Sequence, residues 1–390
     1  MPAPVPYRPP SRARVVGPPD RSVRERTPRT AAWNHGGPRR LSSDPDATRE
    51  CPIPMFLDDA IHPSDTLAAF DAEAPSRQPW GADSEYGRLT DVLLCAPTHL
   101  RPVPCCAVTT ANLRQGFDYS VGEAIRQHHA LEAVLRASGV RCHVVDASPA
   151  LPDLAFARDA TLMTPWGLVE LNLATEHRRA ESRHIARFAE MRGVPLFGRI
   201  EQGTVEGGDV CLVRPGIIIL GCSGERTNAE GAGALAALFE RHGWRAYIHA
   251  FDPHFLHLDT QFAMLDANRA LAAVDVLDDA FLAFVEGLGI ELVPVTYKEV
   301  QQLGGNVLSL GGGRIVSAAS NWRVNRVLLG LGYDVAAVDL SQFTACGGGV
   351  HCLTLPLARD AAAAALPRAR HAASGRGASF ETRHAGRQGA

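Results

Sequence analysis

The chain has 390 residues, of which 46% are hydrophobic and 21% are charged, and its formal net charge is -3. This length is enough to bury a sizeable core. The composition is ordinary for a globular protein, which excludes a collagen-like, coiled-coil or fully disordered chain. Because the folded part has no basic excess, we expect no nucleic-acid partner.

Nine cysteines are present, an odd number without a Cys-x-x-Cys pair. This pattern argues against a disulfide framework and against a structural zinc cluster, and it favours reduced thiols in a cytoplasmic protein. No run of 18 apolar residues occurs, and no apolar stretch follows the N-terminal arginines. We therefore predict neither a membrane span nor a secretory signal, and no membrane partner.

The two ends of the chain differ in composition from the middle. Residues 1–50 contain ten arginines and ten prolines with almost no periodic apolar pattern, and the last stretch is rich in Ala, Arg and Gly. Such segments bury too little apolar surface to offset their chain entropy. We predict a disordered extension over residues 1–80, a single folded domain over 81–360 and a disordered tail over 361–390.

The middle of the chain repeats one order of elements: a short apolar strand, a turn, a second strand, an amphipathic helix and another strand. We predict, in chain order, strand 91–95, helix 123–137 and strand 141–145; strands 161–163 and 167–171 and helix 178–192; strands 210–213 and 216–220, helix 229–242 and strand 245–249; strands 262–265 and 270–274, helix 279–287 and strand 291–295; strands 306–310 and 314–317, helix 322–331 and strand 334–338; and a final strand 352–357. The first and last strands are expected to pair and close a ring.

A polar residue stands at the start of each repeat. Asp159, Asp209, Asp259, Asn306 and Cys352 are separated by 50, 50, 47 and 46 residues. A fixed spacing of this size is typical of a closed repeat architecture, in which equivalent positions face one central channel. The alternative is that each residue is only a turn or cap residue at the start of a hairpin.

Four ordered motifs carry a resemblance to a known family. They are Phe156-Ala157-Arg158-Asp159, Glu206-Gly207-Gly208-Asp209, His257-Leu258-Asp259-Thr260 and Gly347-Gly348-Gly349-Val350-His351-Cys352. In this order and at this spacing they resemble the guanidino-group modifying superfamily, which includes arginine deiminases and dimethylarginine dimethylaminohydrolases. The resemblance implies an α/β fold, a five-bladed α/β propeller (pentein) of repeated ββαβ units around a central active-site channel.

The resemblance also implies the catalytic residues. Cys352 is the expected nucleophile, since a thiol beside a cation can ionise near neutral pH and the preceding glycines allow close backbone approach. His257 is the expected general acid and base, because imidazole titrates nearest the working pH. Glu206 is expected to contact His257 and the substrate nitrogens.

Carboxylates are expected to bind the substrate, because they meet a planar guanidinium with paired, charge-assisted hydrogen bonds. By family position Asp159 and Asp259 bind the guanidinium, whereas Asp209 is either a substrate ligand or a structural cap. Arg226 is expected to bind an α-carboxylate, which disfavours agmatine; the alternative is an exposed arginine at a helix start. Several acids around one thiol should raise the pKa of Cys352 until a cationic substrate binds.

Two other features of the sequence bear on the site. His254, His257 and Asp259 form an H-x-x-H-x-D pattern that is compatible with a divalent metal site. The resemblance instead implies no catalytic metal and no cofactor. The irregular stretch 102–116, with adjacent Cys105 and Cys106, is interpreted as a lid over the channel mouth.

The resulting prediction is a cysteine-dependent hydrolase of a guanidine C–N bond, converting dimethylarginine to citrulline and dimethylamine through a covalent thiouronium intermediate. The separations of 47 residues between Asp159 and Glu206 and 95 between His257 and Cys352 leave no room for the helical insert typical of arginine deiminases. Three alternatives stay open: an arginine deiminase or dihydrolase, an amidinotransferase, and a guanidine-binding sensor. The expected partner is a guanidino amino acid, with a homodimer possible.

Overall fold

The computed structural model describes residues 80–362. The predicted disordered ends lie outside this range, apart from residues 80, 361 and 362. Among the described residues, no helix is both long and apolar enough to cross a bilayer.

The described residues form fifteen strands, arranged as five three-stranded sheets. The strands are β1 (Leu89–Cys95), β2 (Arg141–Val145), β3 (Thr161–Thr164), β4 (Gly167–Glu170), β5 (Leu196–Arg199), β6 (Val210–Arg214), β7 (Ile217–Cys222), β8 (Arg245–Ala250), β9 (Phe262–Asp266), β10 (Arg269–Ala272), β11 (Glu291–Pro294), β12 (Leu308–Gly311), β13 (Arg314–Ala318), β14 (Asp334–Val338) and β15 (Leu355–Arg359).

All five sheets follow one pattern, in which the central strand is antiparallel to the first strand and parallel to the third. This holds for β3-β4-β5, β6-β7-β8, β9-β10-β11 and β12-β13-β14. In these four sheets the antiparallel pair is a tight hairpin, whereas the parallel pair needs a crossover connection, which a helix supplies. Each sheet with its crossover helix is one blade.

The fifth blade is built from both ends of the folded chain, in the order β15-β1-β2. β1 pairs antiparallel with β15, with Leu93 opposite Leu355, and parallel with β2. The predicted closure of the ring by the first and last strands is therefore confirmed. Neighbouring blades meet through their first strands, β15 with β3, β6 with β9 and β9 with β12, so these strands surround the central axis.

Eight α-helices lie within the described residues. They are α1 (Ala107–Arg114), α2 (Val121–Ala137), α3 (Arg179–Met191), α4 (Ala229–Glu240), α5 (Asp279–Gly287), α6 (Tyr297–Val300), α7 (Trp322–Gly330) and α8 (Ser341–Ala345). The crossover helices α2, α4 and α7 contact the third strands β2, β8 and β14, on the outside of the ring.

Local sequence explains why the crossover helices begin where they do. In α5 the side chain of Asp278 accepts the N–H of Phe281 at 2.7 Å, which satisfies a backbone donor that has no partner inside the helix. Phe281 and Val285, four residues apart on one face, are fully buried beneath the helix. Asn228 caps α4 in the same way, accepting the N–H of Gly231 at 2.9 Å.

The structure contains two helices that were not predicted, α6 and α8, and it differs from the predicted elements at three other places. The segment 102–116, predicted to be irregular, contains α1, whose first turn is capped by the Cys106 sulfur accepting the Thr109 N–H. Strand β5 was not predicted, because its end residues are exposed and no alternation marks it. The last strand begins at Leu355 rather than at Cys352, which leaves the cysteine in the turn before it.

Candidate active site

The five polar residues that begin the repeats gather around the central axis. Asp159, Asp209 and Asp259 each lie in a short 3₁₀ turn directly before the first strand of a blade. Asn306 and Cys352 precede β12 and β15 by two and three residues. Because the first strands of neighbouring blades contact one another around the axis, residues at their N-terminal ends come together although they are far apart in sequence.

Backbone contacts between successive blades repeat with the same register. A side-chain oxygen of Asp159 accepts the N–H of Gly208 at 3.1 Å, and a side-chain oxygen of Asp209 accepts the N–H of Leu258 at 2.9 Å. In both cases the donor directly precedes the polar residue that begins the next blade: Gly208 precedes Asp209, and Leu258 precedes Asp259. Part of the role of these carboxylates is therefore structural, as the turn-and-cap alternative proposed.

The register continues around the ring. The Asn306 side-chain oxygen accepts the N–H of His351 at 3.0 Å, and the Cys352 carbonyl accepts the N–H of Arg158 at 3.1 Å. These donors again precede the next polar residue. The ring contacts position the turn that holds Cys352 against the turn that holds Asp159.

The Cys352 sulfur lies among polar groups in a nearly closed environment. The residue is 3% exposed. The Asn306 side-chain N–H donates to the sulfur at 3.2 Å, and the nearer Asp259 carboxylate oxygen lies 3.5 Å away. Burial, with the negative charges of Asp259 and Asp159, raises the pKa of the Cys352 thiol well above its usual range.

Asp259 is held by a neighbour that sequence reasoning did not single out. His351 Nδ1 lies 2.8 Å from Asp259 Oδ2, and His351 Nε2 lies 3.5 Å from Glu85 Oε2. The other Asp259 oxygen is buried without a hydrogen-bond partner. Burial opposes ionisation of Asp259, but the His351 contact outweighs it and lowers the pKa of the carboxyl.

His257 is buried between two carboxylates. Its Nε2 lies 2.8 Å from Glu206 Oε2, and its Nδ1 lies 3.7 Å from Asp159 Oδ1. Burial disfavours the imidazolium, but Asp159, Asp209 and Glu206 outweigh burial and raise the pKa of His257 to about 10. The imidazole is therefore protonated at neutral pH.

Gly208 allows this close approach. A Cβ at position 208 would lie 2.7 Å from His257 Nδ1, inside van der Waals contact. The glycine of the Glu-Gly-Gly-Asp motif thus provides the space that the imidazole occupies. A larger residue here would displace His257 from Asp159.

Glu206 joins His257 to Arg226. The Arg226 Nη1 donates to Glu206 Oε2 at 3.3 Å, and the backbone N–H of Ala174 donates to Glu206 Oε1 at 3.2 Å. Burial opposes ionisation, yet the His257 hydrogen bond and the Arg226 charge hold the pKa of Glu206 well below its usual range. Glu206 therefore stays ionised and keeps the imidazolium in place.

Arg226 also reaches the segment that precedes α1. Its Nη2 donates to the carbonyl of Cys105 at 2.6 Å. The residue is 6% exposed, which contradicts the alternative of an exposed arginine at a helix start. The 102–116 segment is therefore linked directly to the site, in the position that the lid hypothesis requires.

Arg178 is a second arginine at the site that sequence reasoning did not identify. Its Nη1 donates to Asp159 Oδ2 at 2.7 Å, and its Nε and Nη2 donate to Glu181 Oε2. The side chain is buried, and two carboxylates balance its charge. Only its position just before α3 could have suggested a role, because no local pattern marks it.

A small cavity of about 30 Å3 connects these groups. Its lining includes four of the predicted site residues: Asp159, Arg226, His257 and Cys352. Other lining residues are Cys105, Cys106, Asp153, Phe156, Arg178, Leu256, Cys346, Gly347 and Gly348.

The remaining predicted residues lie around this cavity. Glu206 stands behind His257, and Asp259 stands beside the Cys352 sulfur. Asp209 is not part of the cavity lining and bonds to the backbone of Leu258. Burial raises the pKa of Asp209 to about 7 although the His257 charge opposes the rise.

The H-x-x-H-x-D pattern does not form a cluster among the described residues. His254 is exposed and lies 3.2 Å from the Tyr297 hydroxyl, while His257 faces Glu206. Asp159, Glu206 and His257 do offer ligand atoms within 4.8 Å of one another. Their charges are balanced by Arg178, by Arg226 and by the imidazolium.

Comparison with known proteins agrees with this geometry. Residues 109–359 match the family described as eukaryotic N,N dimethylarginine dimethylhydrolase. A dimethylarginine dimethylaminohydrolase of Streptomyces coelicolor is 30% identical over 259 residues, covering 66% of this chain and 95% of that protein. An arginine deiminase of Mycobacterium marinum is 28% identical over 305 residues, covering 68% of this chain and 71% of that protein.

A similar solved structure is that of dimethylarginine dimethylaminohydrolase from Pseudomonas aeruginosa, a cysteine-to-serine mutant in complex with citrulline. It matches with a TM-score of 0.59 and 26% sequence identity, covering 69% of this chain and 99% of that chain. The expected five-bladed α/β propeller is confirmed by this likeness and by the ring of sheets. The chain belongs to the N,N dimethylarginine dimethylhydrolase family of the guanidino-group modifying superfamily, and it is a hydrolase of guanidino C–N bonds.

Proposed function

We propose that the protein hydrolyses dimethylarginine to citrulline and dimethylamine, with Cys352 as the nucleophile. The observation that carries the proposal is that a thiol, an imidazolium, a carboxylate and an arginine line one cavity. Each group suits one part of a guanidino amino acid or one step of its hydrolysis. Membership of the dimethylarginine dimethylhydrolase family favours the methylated substrate.

Binding of the substrate cation is the first step. Asp159 lines the cavity, and Asp259 lies beside the sulfur with one buried oxygen that lacks a partner. A guanidinium between them gains charge-assisted hydrogen bonds from its N–H groups. Its positive charge also offsets the two carboxylates that raise the pKa of Cys352, so the thiol ionises when substrate is bound.

The thiolate then attacks the guanidine carbon. A carbon–sulfur bond forms and, as the bond from carbon to the dimethylated nitrogen breaks, His257 donates a proton to the departing amine. The raised pKa of His257 supports this order, since the imidazole already carries the proton. The product of this step is an S-alkylthiouronium on Cys352.

Water completes the reaction. The neutral His257 takes a proton from a water molecule that attacks the thiouronium carbon. The hydroxyl proton of the resulting tetrahedral intermediate then passes to the departing sulfur as the carbon–sulfur bond breaks, which releases citrulline and the Cys352 thiol. Glu206 stays ionised throughout and stabilises the imidazolium each time it forms. Division of one difficult displacement into two steps explains the need for both Cys352 and His257.

Arg226 is the proposed partner of the substrate α-carboxylate. Arginine meets carboxylates with two parallel hydrogen bonds, and Arg226 lines the cavity. In this structure its Nη1 donates to Glu206 and its Nη2 to the Cys105 carbonyl. When the substrate binds, its α-carboxylate therefore replaces the Cys105 carbonyl as the acceptor of the Arg226 hydrogen bond. Substrate binding thus releases a contact that holds the segment before α1.

Free arginine is a second candidate substrate, favoured by Asp259. A dimethylated nitrogen has no N–H to donate, so it cannot satisfy a second carboxylate beside the sulfur. An unsubstituted guanidinium offers N–H groups to Asp159 and Asp259 together. The unpartnered oxygen of Asp259 is the observation that supports this candidate.

One experiment tests both candidates. The purified protein is incubated separately with dimethylarginine, monomethylarginine, arginine and agmatine, and the ureido product and the released amine are identified by mass spectrometry. We expect citrulline with dimethylamine from dimethylarginine; a higher kcat/KM with arginine and release of ammonia would select the second candidate. Product that forms only with an added amine acceptor would indicate an amidinotransferase, and binding without turnover would indicate a sensor.

Substrate-assisted ionisation of the thiol has its own test. The ultraviolet thiolate absorbance of the parent protein, minus that of Cys352→Ala, is followed against pH with and without butylguanidinium. We expect the thiolate to appear at lower pH when the cation is bound, because the charges that raise the pKa are then offset. Identical titrations with and without the cation would contradict this mechanism.

A further inference from the structure

A second group of potential metal ligands lies at the cavity wall, apart from Cys352 and His257. Cys105, Asp153 and His177 offer one sulfur, one oxygen and one nitrogen atom that all lie within 4.8 Å of one another. His177 Nε2 is 2.7 Å from Asp153 Oδ2, and Cys105 Sγ is 3.9 Å from the same oxygen. The 2.7 Å contact is a hydrogen bond between His177 and Asp153, and an ion that binds to both side chains would replace it.

Three separate segments bring these ligands together. Cys105 precedes α1, Asp153 lies in the loop after β2, and His177 belongs to a 3₁₀ turn before α3. Asp153 is 5% exposed, whereas Cys105 and His177 are partly exposed. The ligand atoms are thus positioned by the fold and remain within reach of solvent, so an ion could bind without unfolding the segment.

The chemistry of the three ligands is selective. Thiolate with imidazole favours zinc over magnesium or calcium, which bind oxygen ligands. When zinc binds, the Cys105 thiol loses its proton to solvent, and thiolate and carboxylate together balance the two positive charges of the ion. Three protein ligands leave one position of a tetrahedral ion open to water.

We propose that Cys105, Asp153 and His177 form a zinc-binding site at the mouth of the cavity. Nothing in the amino-acid pattern suggested this site, because the ligands are 48 and 24 residues apart in sequence. Cys105 and Asp153 both line the cavity, and the Cys105 carbonyl accepts a hydrogen bond from Arg226. A bound ion therefore narrows the substrate cavity and holds the segment before α1, which predicts reversible inhibition; this consequence alone rests on the proposed function.

The test measures metal binding directly. The full chain is titrated with zinc by calorimetry and with cobalt by absorbance, where a thiolate-to-cobalt charge-transfer band reports sulfur ligation. Cys105→Ser and His177→Ala should each weaken binding at least about tenfold and Cys105→Ser should remove the band, whereas Cys106→Ser, the neighbouring thiol, should change neither. Circular dichroism and thermal melting verify that each variant is folded, and His177→Gln is the second choice at that position.

The active-site thiol is the competing location. We expect Cys352→Ser to retain the cobalt band and the zinc affinity of the parent. If the band disappears in Cys352→Ser, or if Cys105→Ser and His177→Ala bind zinc like the parent, the proposal is overturned. Zinc that binds as proposed but leaves turnover unchanged would contradict only the inhibition, and absence of turnover without zinc would bear on the proposed function instead.

Discussion

Asp209 and Asp259 occupy equivalent positions in adjacent blades, but their surroundings differ. Asp209 lies outside the cavity lining, and its hydrogen-bonded oxygen accepts a backbone N–H from the next blade. Asp259 lies 3.5 Å from the Cys352 sulfur and is held by His351. The repeat therefore places a carboxylate at the axis in both blades, and the neighbouring residues decide whether it contacts the backbone of the next blade or lies beside the Cys352 sulfur.

The difference follows from what each blade has next to it along the ring. Asp259 is followed by Asn306, whose side chain donates to the Cys352 sulfur and accepts the N–H of His351. Asp209 is followed by the turn of His257, and its contact there is with the backbone. Substitution of Asp259 should therefore affect catalysis more than substitution of Asp209.

Loss of the sulfur itself should have the largest effect. Cys352→Ala is expected to lower kcat by at least about 10⁴-fold, because the covalent intermediate cannot form, while citrulline binding changes less than about tenfold. Single-turnover kinetics and calorimetry provide the two measurements. Cys95→Ala, which removes a buried thiol from β1, is the matched control and should keep near-parental turnover; residual turnover near the parental rate in Cys352→Ala would end the proposal.

The two aspartates are compared directly by isosteric substitution. Asp259→Asn should lower kcat/KM by about 10²- to 10³-fold, because a buried charge that faces the guanidinium is lost. Asp209→Asn should lower it by less than about tenfold, because the amide oxygen still accepts the Leu258 N–H. Steady-state kinetics gives kcat/KM for both variants. Equal losses of kcat/KM would contradict the proposed difference between Asp209 and Asp259.

Substitution of Arg226 tests its proposed binding of the substrate α-carboxylate. Arg226→Gln is expected to raise KM for the amino acid substrate by about 10- to 100-fold, and to change KM for the decarboxylated analogue less than about threefold. Arg226→Lys, which keeps the charge but not the paired hydrogen bonds, should lie between. A similar effect on both substrates would instead indicate that Arg226 acts only through Glu206 and the segment before α1.

The smallest effect concerns stability and pH. Because burial raises the pKa of Asp209 from an ordinary value near 4 to about 7, the folded state holds this proton more tightly than the unfolded state. The Asp209 contribution to stability is therefore lost as pH rises between these values, by a few kcal/mol at most. Asp209→Asn cannot ionise, so its Tm relative to the parent should increase from about pH 5 to about pH 8. A pH-independent difference would show that Asp209 does not ionise in this range.

Most of the blades could be predicted because their determinants are local. Apolar strands, tight hairpins and capped helices such as α5 depend on neighbouring residues, and helix 279–287 and strand 334–338 agree with the structure at both ends. Strand β5 and helix α1 were missed because their stability depends on contacts with other segments, such as the Asn112 side chain donating to the Ala345 carbonyl.

The site, too, has residues that could be predicted from the sequence and residues that could not. Motif spacing predicted that Asp159, Asp259 and Cys352 meet, since equivalent positions of a closed repeat share one axis, and the family resemblance implied His257. Neither assigned a role to Arg178, which carries no pattern of its own, or to His351, which lies in the quoted motif beside Cys352. Their importance comes from the partner that the ring brings to them, Asp159 for Arg178 and Asp259 for His351.

The amino-acid sequence alone determined that the chain folds as five repeated units with a thiol, an imidazole and acids at their starts, because period, hydrophobic pattern and residue type are local properties. Only the tertiary structure decided which acid contacts sulfur, which contacts backbone, and how far each pKa moves. The reason is that desolvation and charge interactions depend on distances of a few ångströms between residues that are far apart along the chain.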